Sequence, residues 1–124
     1  RNACNDLEEY ISDEINTGAD KDFIILGDWN DELDDPTTDN VFNVFLDKSD
    51  EYTFLTNGLD GQYSYASYSS LIDHIMITAD TEAEYDSGTT QVLYLDRQFS
   101  SYYNEVSDHR PVMAKFDGFS IKTN

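Results

Sequence analysis

Basic residues are scarce in this sequence. Lys and Arg together number 7 against 26 Asp and Glu, and the formal net charge of −19 is spread along 124 residues. Such a surface repels polyanions and offers few counter-charges to a nucleic-acid backbone, so a phosphate-bearing ligand would have to approach through divalent cations. A spread acidic surface is also typical of proteins that stay soluble in salty or extracellular settings. We therefore expect a secreted or cell-surface location.

Cysteine and long apolar runs are scarce as well. Cys4 is the one cysteine of the sequence, so neither an intrachain disulfide framework nor a cysteine-based zinc cluster can form. No stretch approaches the roughly 18 apolar residues that a membrane span needs. The chain opens with RNACNDLEEY instead of basic residues followed by apolar ones, which is not a signal-peptide pattern. We expect no membrane span.

What is present suits one folded domain. Apolar residues make up 39% of the chain and aromatic residues 14%, which is enough for a packed core. Residues 6–16 carry apolar side chains at helical spacing, with Asn5 as a candidate N-cap and Gly18 as a C-terminal stop. DFIIL, residues 22–26, is typical of a strand covered on both faces. A helix followed by a buried strand indicates an α/β fold.

The remaining segments predict short elements around one sheet. Residues 39–47 predict a helix packed on the sheet, and residues 52–68 predict a hairpin around the NG and DG turn signals. SLIDHIMIT predicts a strand that encloses Asp73 and points His74 to the opposite face. Loops are predicted at residues 79–90 and 99–110, and further strands at residues 91–96 and 112–116.

Three of these places combine an apolar strand with reactive polar side chains: GDWN, IDH and SDHRP, which begin at residues 27, 72 and 107. In α/β sheets, ligands bind where strand ends and loops converge. Phosphoester cleavage needs carboxylates for a divalent ion and for water, an amide for a phosphoryl oxygen, and an imidazole for developing charge. The residues that would supply these groups are Asp28, Asn30, Asp73, Asp108 and His109.

Other interpretations of the same residues stay open. A calcium loop that begins at Asp28 fits three ligand positions but has Leu33 where the sharp turn needs glycine. A serine triad within residues 107–109 would need consecutive side chains to align. Asp28 could instead cap a turn, with residues 31–35 forming a solvated acidic loop. His74 is predicted to pack in the interior, and the tryptophan of GDWN is predicted to pack beneath the loop and not to bind a base.

The three motifs together resemble those of a known family. GDWN resembles the G-D-F-N motif, SLIDHIMIT the S-x-x-I-D-H-I strand, and SDHRPV the S-D-H-x-P-V motif of the deoxyribonuclease I-like endonuclease/exonuclease/phosphatase family. They occur in the family's order, between Leu7 and Phe116. The resemblance implies a two-sheet α/β sandwich with a mixed, mostly antiparallel sheet and flanking helices. Residues 1–124 would form the C-terminal part of that single domain, without its N-terminal half.

The resemblance also implies a role for each matching residue. Asp28 would activate the attacking water and, with Asp108, contribute to the divalent-metal site. Asn30 would hold the phosphate. His109, paired with Asp73, would contact the scissile phosphate and stabilise its charge.

Arg110, at the variable position of SDHRPV, and three tyrosines outside the motifs have two interpretations each. Arg110 could contact the substrate phosphate or pair with the acidic surface. Tyr63, Tyr65 and Tyr68 could line a substrate groove, although packing on a sheet explains alternating tyrosines equally well.

The function implied is hydrolysis of phosphodiesters by water attack, with Mg²⁺, or Mn²⁺ or Ca²⁺, as cofactor. A nuclease without sequence specificity is favoured, and the alternatives are a sugar- or lipid-phosphate phosphatase and a non-catalytic binding module that keeps the fold. In the family, the N-terminal half supplies an Asn, the principal metal-binding Glu and a second catalytic His. We therefore expect residues 1–124 alone to be inactive, and to expose an apolar sheet face that binds the N-terminal half or a second copy.

Overall fold

A computed structural model of the protein describes residues 2–18 and 20–118. Within these ranges the chain is mixed α/β, with two small antiparallel sheets and flanking helices. The helices are α1 (Asn2–Thr17), α2 (Asn43–Leu46), α3 (Glu82–Tyr85) and α4 (Tyr102–Glu105). The strands are β1 (Ile24–Asp28), β2 (Tyr52–Phe54), β3 (Asp73–Thr78), β4 (Thr89–Val92) and β5 (Val112–Lys115). No helix in the described ranges is long and apolar enough to cross a bilayer.

The central element is β3, which lies between β1 and β2 and runs antiparallel to both. β4 and β5 form the second sheet. β3 alternates as predicted, because His74 and Met76 point to one side of the sheet while Ile75 and Ile77 point to the other. The strand begins at Asp73 and does not enclose it. Asp73 therefore lies at the end of the central strand, beside the loops.

One face of the three-stranded sheet is covered by α1 and α2. Phe42, Phe45, Phe54 and Met76 are buried there, and Trp29 packs on the three phenylalanine rings with centroid distances of 5.5 to 6.1 Å. Buried aromatic rings at such distances contribute the largest apolar areas in a core. This is the main hydrophobic core, and the half-buried Trp29 packs against it, which confirms the packing role predicted for this residue.

The opposite face is only partly covered. Val112 and Ala114 of β5 pack against Ile75 and Ile77 of β3, but they leave β1 open, and Leu26 is 65% exposed. The expectation that β1 is covered on both faces is therefore wrong. β1 is an edge strand, and the second sheet does not extend over it.

The predicted hairpin at residues 52–68 is also wrong. β2 pairs with β3 instead. The backbone N–H and C=O groups of β2 that face β3 bond to that strand and not to the segment that follows the turns. The NG and DG pairs form successive turns, in which Gly58 and Gly61 have φ of 82° and 74°. The segment that would have formed the second strand contains a 3₁₀ turn, Ala66–Tyr68.

The helices differ from the predictions at the start of α1 and in two segments that were predicted as loops. α1 begins at Asn2, so Asn5 lies inside it and is not its N-cap. Gly18 ends the helix as predicted, with φ of 109° and its N–H bonded to the Glu14 carbonyl at 3.0 Å. The segments predicted as loops at residues 79–90 and 99–110 contain α3 and α4, single turns whose local hydrogen bonds the apolar pattern does not reveal.

Candidate active site

Two carboxylates meet at the ends of neighbouring strands. Asp28 ends β1, Asp73 begins β3, and the two residues are direct partners in the antiparallel ladder. Side chains of directly opposed residues lie on the same face of a sheet, and like charges there repel each other. The face is the open one, because Leu26, two residues before Asp28, also points that way. A cation beside Asp28 and Asp73 is therefore favoured by simple electrostatics.

His109 brings an imidazole to both carboxylates. Its Nδ1 lies 2.7 Å from Oδ2 of Asp73, and its Nε2 lies 3.9 Å from Oδ2 of Asp28. The hydrogen bond with Asp73 raises the pKa of His109, partial burial opposes that shift, and the charges of Asp28 and Asp108 add to it. Since a carboxylate only accepts hydrogen bonds, the Nδ1–H group donates a hydrogen bond to Asp73, and Nε2 faces Asp28.

The main chain of His109 is held from several sides. Ser107 Oγ accepts the His109 N–H at 3.0 Å, and the Tyr102 hydroxyl donates to the His109 carbonyl at 2.7 Å. Ser107 thus serves the backbone, and the imidazole Nδ1 is bonded to Asp73. The serine-triad alternative finds no such alignment in residues 107–109.

Ser64 is a residue that sequence reasoning missed. It is fully buried, and its Oγ accepts the N–H groups of Ile72 and Asp73 at 3.1 and 3.2 Å. Its carbonyl accepts the Arg110 N–H at 2.7 Å. Ser64 therefore ties the start of β3 to the segment that carries His109. The available signal was a small polar residue between tyrosines, in a segment interpreted as a strand.

Asn30 forms the turn that ends β1. Its φ is 56°, and its N–H donates to Asp28 Oδ1 at 2.8 Å. Asparagine adopts the left-handed region more readily than most residues. Gly27 remains inside β1, paired with His74, so the chain turns at Asn30 and not at Gly27. One oxygen of Asp28 thus holds the turn and the other faces His109.

Asp28, Asp73 and His109 line an open groove of about 330 Å³. Ligand atoms of Asp28, Asp73 and His109 all lie within 4.8 Å of one another, and no other such group of three occurs in residues 2–18 and 20–118. The two carboxylates suit Mg²⁺ or Mn²⁺, whereas the imidazole could ligate a metal through Nε2 only when that nitrogen carries no proton. The calcium-loop alternative, in which Asn30 and Glu32 would join Asp28, is not the arrangement found, because Glu32 Oε1 lies 3.4 Å from the Leu71 N–H.

Two other predicted residues lie beside this group. Asp108 is exposed and is not one of the three clustered ligands, so its place in a metal site stays a prediction. Arg110 donates to both oxygens of Asp96 at 2.8 and 3.1 Å and to the Tyr63 carbonyl at 2.9 Å. Arg110 holds the pKa of Asp96 at about 2. The pairing alternative for Arg110 is therefore present, and phosphate contact by it stays a prediction.

His74 occupies the opposite side of β3 and confirms the interior position predicted for it. It is 1% exposed, Nε2 lies 2.9 Å from the Asp31 carbonyl, and Nδ1 lies 2.8 Å from Thr56 Oγ1. Because a carbonyl only accepts, Nε2 carries the proton and Nδ1 accepts from the threonine. Burial lowers the pKa of His74. This histidine is neutral and structural.

The acidic segment after Asn30 is more buried than the solvated loop that the sequence predicted. Asp31, Glu32 and Asp35 are half-buried. A hydrogen bond between the carboxyl groups of Asp31 and Asp35 raises the pKa of Asp35 to about 6. The segment supports His74 from one side of the sheet.

Comparison with models of protein families, with curated proteins and with solved structures gave no match. The geometry of the described residues therefore carries the functional conclusions.

Proposed function

We propose that this chain forms the nucleophile-activating side of a divalent-metal-dependent phosphoester hydrolase that acts on phosphodiesters of nucleic acid. The observation that carries the proposal is the convergence of Asp28, Asp73 and His109 in the lining of an open groove, with Asn30 in the adjoining turn. All four residues belong to the motifs that resemble the deoxyribonuclease I-like family. We extend the proposal to that family's two-sheet sandwich, of which residues 1–124 form the C-terminal part.

The cation would be held by Asp28, with Asp108 nearby as a second carboxylate. The Asp28 side chain is 51% exposed, which suits Mg²⁺, an ion that keeps several waters and takes few protein carboxylates. When bound, such an ion neutralises the charge that develops on a phosphate under attack. Asp28 and Asp73 are opposed across β1 and β3 and repel each other, and a bound cation would reduce that repulsion.

The protein's own groups handle protons and orientation. Asp28 orients and deprotonates the attacking water. Asp73 fixes the imidazole of His109, so that Nε2–H faces the groove and the raised pKa keeps the ring cationic nearer to neutral pH. The Asn30 amide, in the turn that follows Asp28, would hold a phosphoryl oxygen. Preorganised donors of this kind stabilise charge that forms in the transition state.

The site is open on the side of β1. Leu26 lines the groove next to Asp28 and is 65% exposed, and apolar surface beside a polar site is typical of an interface. We propose that a second polypeptide segment covers this face and completes the site, as the resemblance implies. Residues 1–124 alone are then a weak catalyst.

The first test is cation binding by the 124-residue chain, measured by calorimetric titration with Mn²⁺ and Mg²⁺. Asp28→Asn is expected to weaken binding at least about tenfold, because it removes one charged ligand. Asp13→Asn, an exposed aspartate of α1, is the matched control and should bind like the unaltered chain. Equal affinity for the Asp28→Asn and Asp13→Asn variants would contradict the cation site.

The second test is hydrolysis of plasmid DNA and of a chromogenic phosphodiester, with and without chelator. A longer form of the protein that carries the covering segment should cleave both substrates in a chelator-sensitive way, and residues 1–124 alone should cleave them poorly. Cation binding without hydrolysis by either form would favour the non-catalytic binding module. Strong magnesium-dependent cleavage by the 124-residue chain would refute the incomplete site.

A further inference from the structure

A row of aromatic rings leads away from His109 along the protein surface. The Tyr65 ring lies 5.1 Å from the His109 imidazole, centroid to centroid, at an interplanar angle of 30°. The Tyr68 ring lies 5.6 Å from Tyr65, at 37°. Both pairs are tilted and within the range of favourable ring contacts. The row therefore begins at the candidate phosphate site and ends at Tyr68, which is 77% exposed.

The loop that carries these tyrosines is closed on itself. The Tyr65 N–H donates to the Ser70 carbonyl at 2.9 Å, and the Ser70 N–H donates to the Tyr65 carbonyl at 3.2 Å. Between them, the 3₁₀ turn ends at Ser69, whose φ is 51°. A serine in the left-handed region is strained and persists only where the surrounding structure fixes it. Tyr65 also forms a backbone bridge with His109, so the loop is tied directly to the site.

We propose that the exposed face of Tyr68, backed by Tyr65, is a stacking subsite for a nucleobase of the strand whose phosphate lies at His109. The inference rests on the proposed function and narrows its substrate to nucleic acid with unpaired bases. A sugar or lipid phosphate has no aromatic ring to place there. Base stacking on aromatic side chains tolerates any sequence, because every base has a π-face.

The charge of the protein makes such a subsite useful. With 7 basic residues and a net charge of −19, contacts to the phosphate backbone contribute little affinity, whereas a neutral base is not repelled. Two ring-to-ring steps separate His109 from Tyr68, so a base on the bound nucleotide, or on its neighbour in an extended single strand, can reach the exposed ring. Affinity should therefore depend on bases more than on salt.

The test measures binding of the 124-residue chain to a labelled single-stranded oligonucleotide and to an abasic strand with the same number of phosphates, by fluorescence anisotropy in Mg²⁺. We expect the base-bearing strand to bind about 5- to 100-fold more tightly, and Tyr68→Ala to remove that preference. Tyr68→Phe should retain it. Tyr10→Ala, an exposed tyrosine of α1, is the matched control and should change nothing.

Each outcome separates the subsite from the proposed function. Equal binding of both strands by the unaltered chain overturns the subsite and leaves phosphate binding standing. Binding of neither strand overturns both. A base preference that survives in Tyr68→Ala overturns the assignment to Tyr68. Circular dichroism checks the fold of each variant, and the high exposure of Tyr68 means that its truncation removes no core packing.

Discussion

The two histidines of the chain lie on opposite faces of the β3 sheet, and their pKa values are shifted in opposite directions. On the helix-covered face, His74 lies among Phe42 and Phe54, donates to the Asp31 carbonyl, and has a pKa lowered by burial. On the open face, His109 bonds to Asp73 and has a pKa raised by that bond. Asp73 and His74 are neighbours in the sequence, so the pleat of β3 places His74 on the covered face and the carboxylate that bonds His109 on the open one.

Only one of the two faces is fully covered by other parts of the described chain. The helix-covered face satisfies its polar groups internally and buries large rings, as a core does. The open face places two carboxylates opposite each other and leaves Leu26 exposed beside them. His109 offsets part of the repulsion between these carboxylates, and a cation, a substrate or a covering segment would offset more of it. The helix-covered face is therefore the core, and the open face is the candidate site.

The largest predicted effect contrasts the two faces directly. Phe42→Ala removes a fully buried ring and should lower the free energy of unfolding by about 3 to 5 kcal/mol. Leu26→Ala, on the open face, should change it by less than about 0.5 kcal/mol. Urea denaturation of the 124-residue chain measures both. Similar losses for the two variants would mean that β1 is covered in solution, for instance by a second copy of the chain.

The second prediction contrasts the histidines. His74→Ala leaves a cavity and unpaired partners at Thr56 and Asp31, and should cost about 2 to 3 kcal/mol in the free energy of unfolding. His109→Ala should cost less than about 1 kcal/mol, because the ring is part-exposed and its partner Asp73 can turn to solvent. Urea denaturation at pH 7 ranks the two. The reverse order would contradict the assignment of structural and functional rings.

The third prediction concerns the ion pair that anchors the segment after His109. Arg110 holds the pKa of Asp96 at about 2 in the folded chain, below the ordinary value near 4 of the unfolded chain. A lowered carboxyl pKa stabilises the fold above pH ~4, and the contribution is lost as the pH falls through about 2. Asp96→Asn should therefore cost about 1 to 2 kcal/mol at pH 7 and almost nothing at pH 2.

Denaturation curves of the unaltered chain and Asp96→Asn across this pH range check the sign. Asp80→Asn, an exposed aspartate after β3, is the control and should show no comparable pH-dependent difference. A constant difference between the unaltered chain and Asp96→Asn from pH 2 to 7 would show that the Arg110 pair contributes through shape and not through charge.

Much of this could be predicted from the sequence. The alternation of β3 placed His74 inside and aligned Asp73 with the aliphatic side chains of the other face. Helical spacing predicted α1, and the motifs that resemble the deoxyribonuclease I-like family singled out Asp28 and His109, which the structure brings together. Local pattern is informative there because period-2 and period-3.6 burial are imposed by the backbone itself.

The rest depended on long-range pairing. β2 could have paired with the following segment, as the turn signals suggested, but it pairs with β3, and no local pattern decides between two partners. The role of Ser64 follows from that choice, because Ser64 becomes buried only when its segment crosses the start of β3. The Tyr65 ring contact with His109 and the Arg110 pair with Asp96 join residues 44 and 14 positions apart, and the local patterns do not predict them.

The most direct test of the account is an NMR titration of the two imidazoles, with and without Mg²⁺. His109 should titrate with a pKa above the ordinary 6.5 and His74 with one below it, and Mg²⁺ should lower the pKa of His109 alone, because a cation at Asp28 competes with the imidazolium proton. Asp28→Asn should remove the Mg²⁺ effect. Two rings that titrate at the ordinary value, or a His109 indifferent to Mg²⁺, would contradict the account.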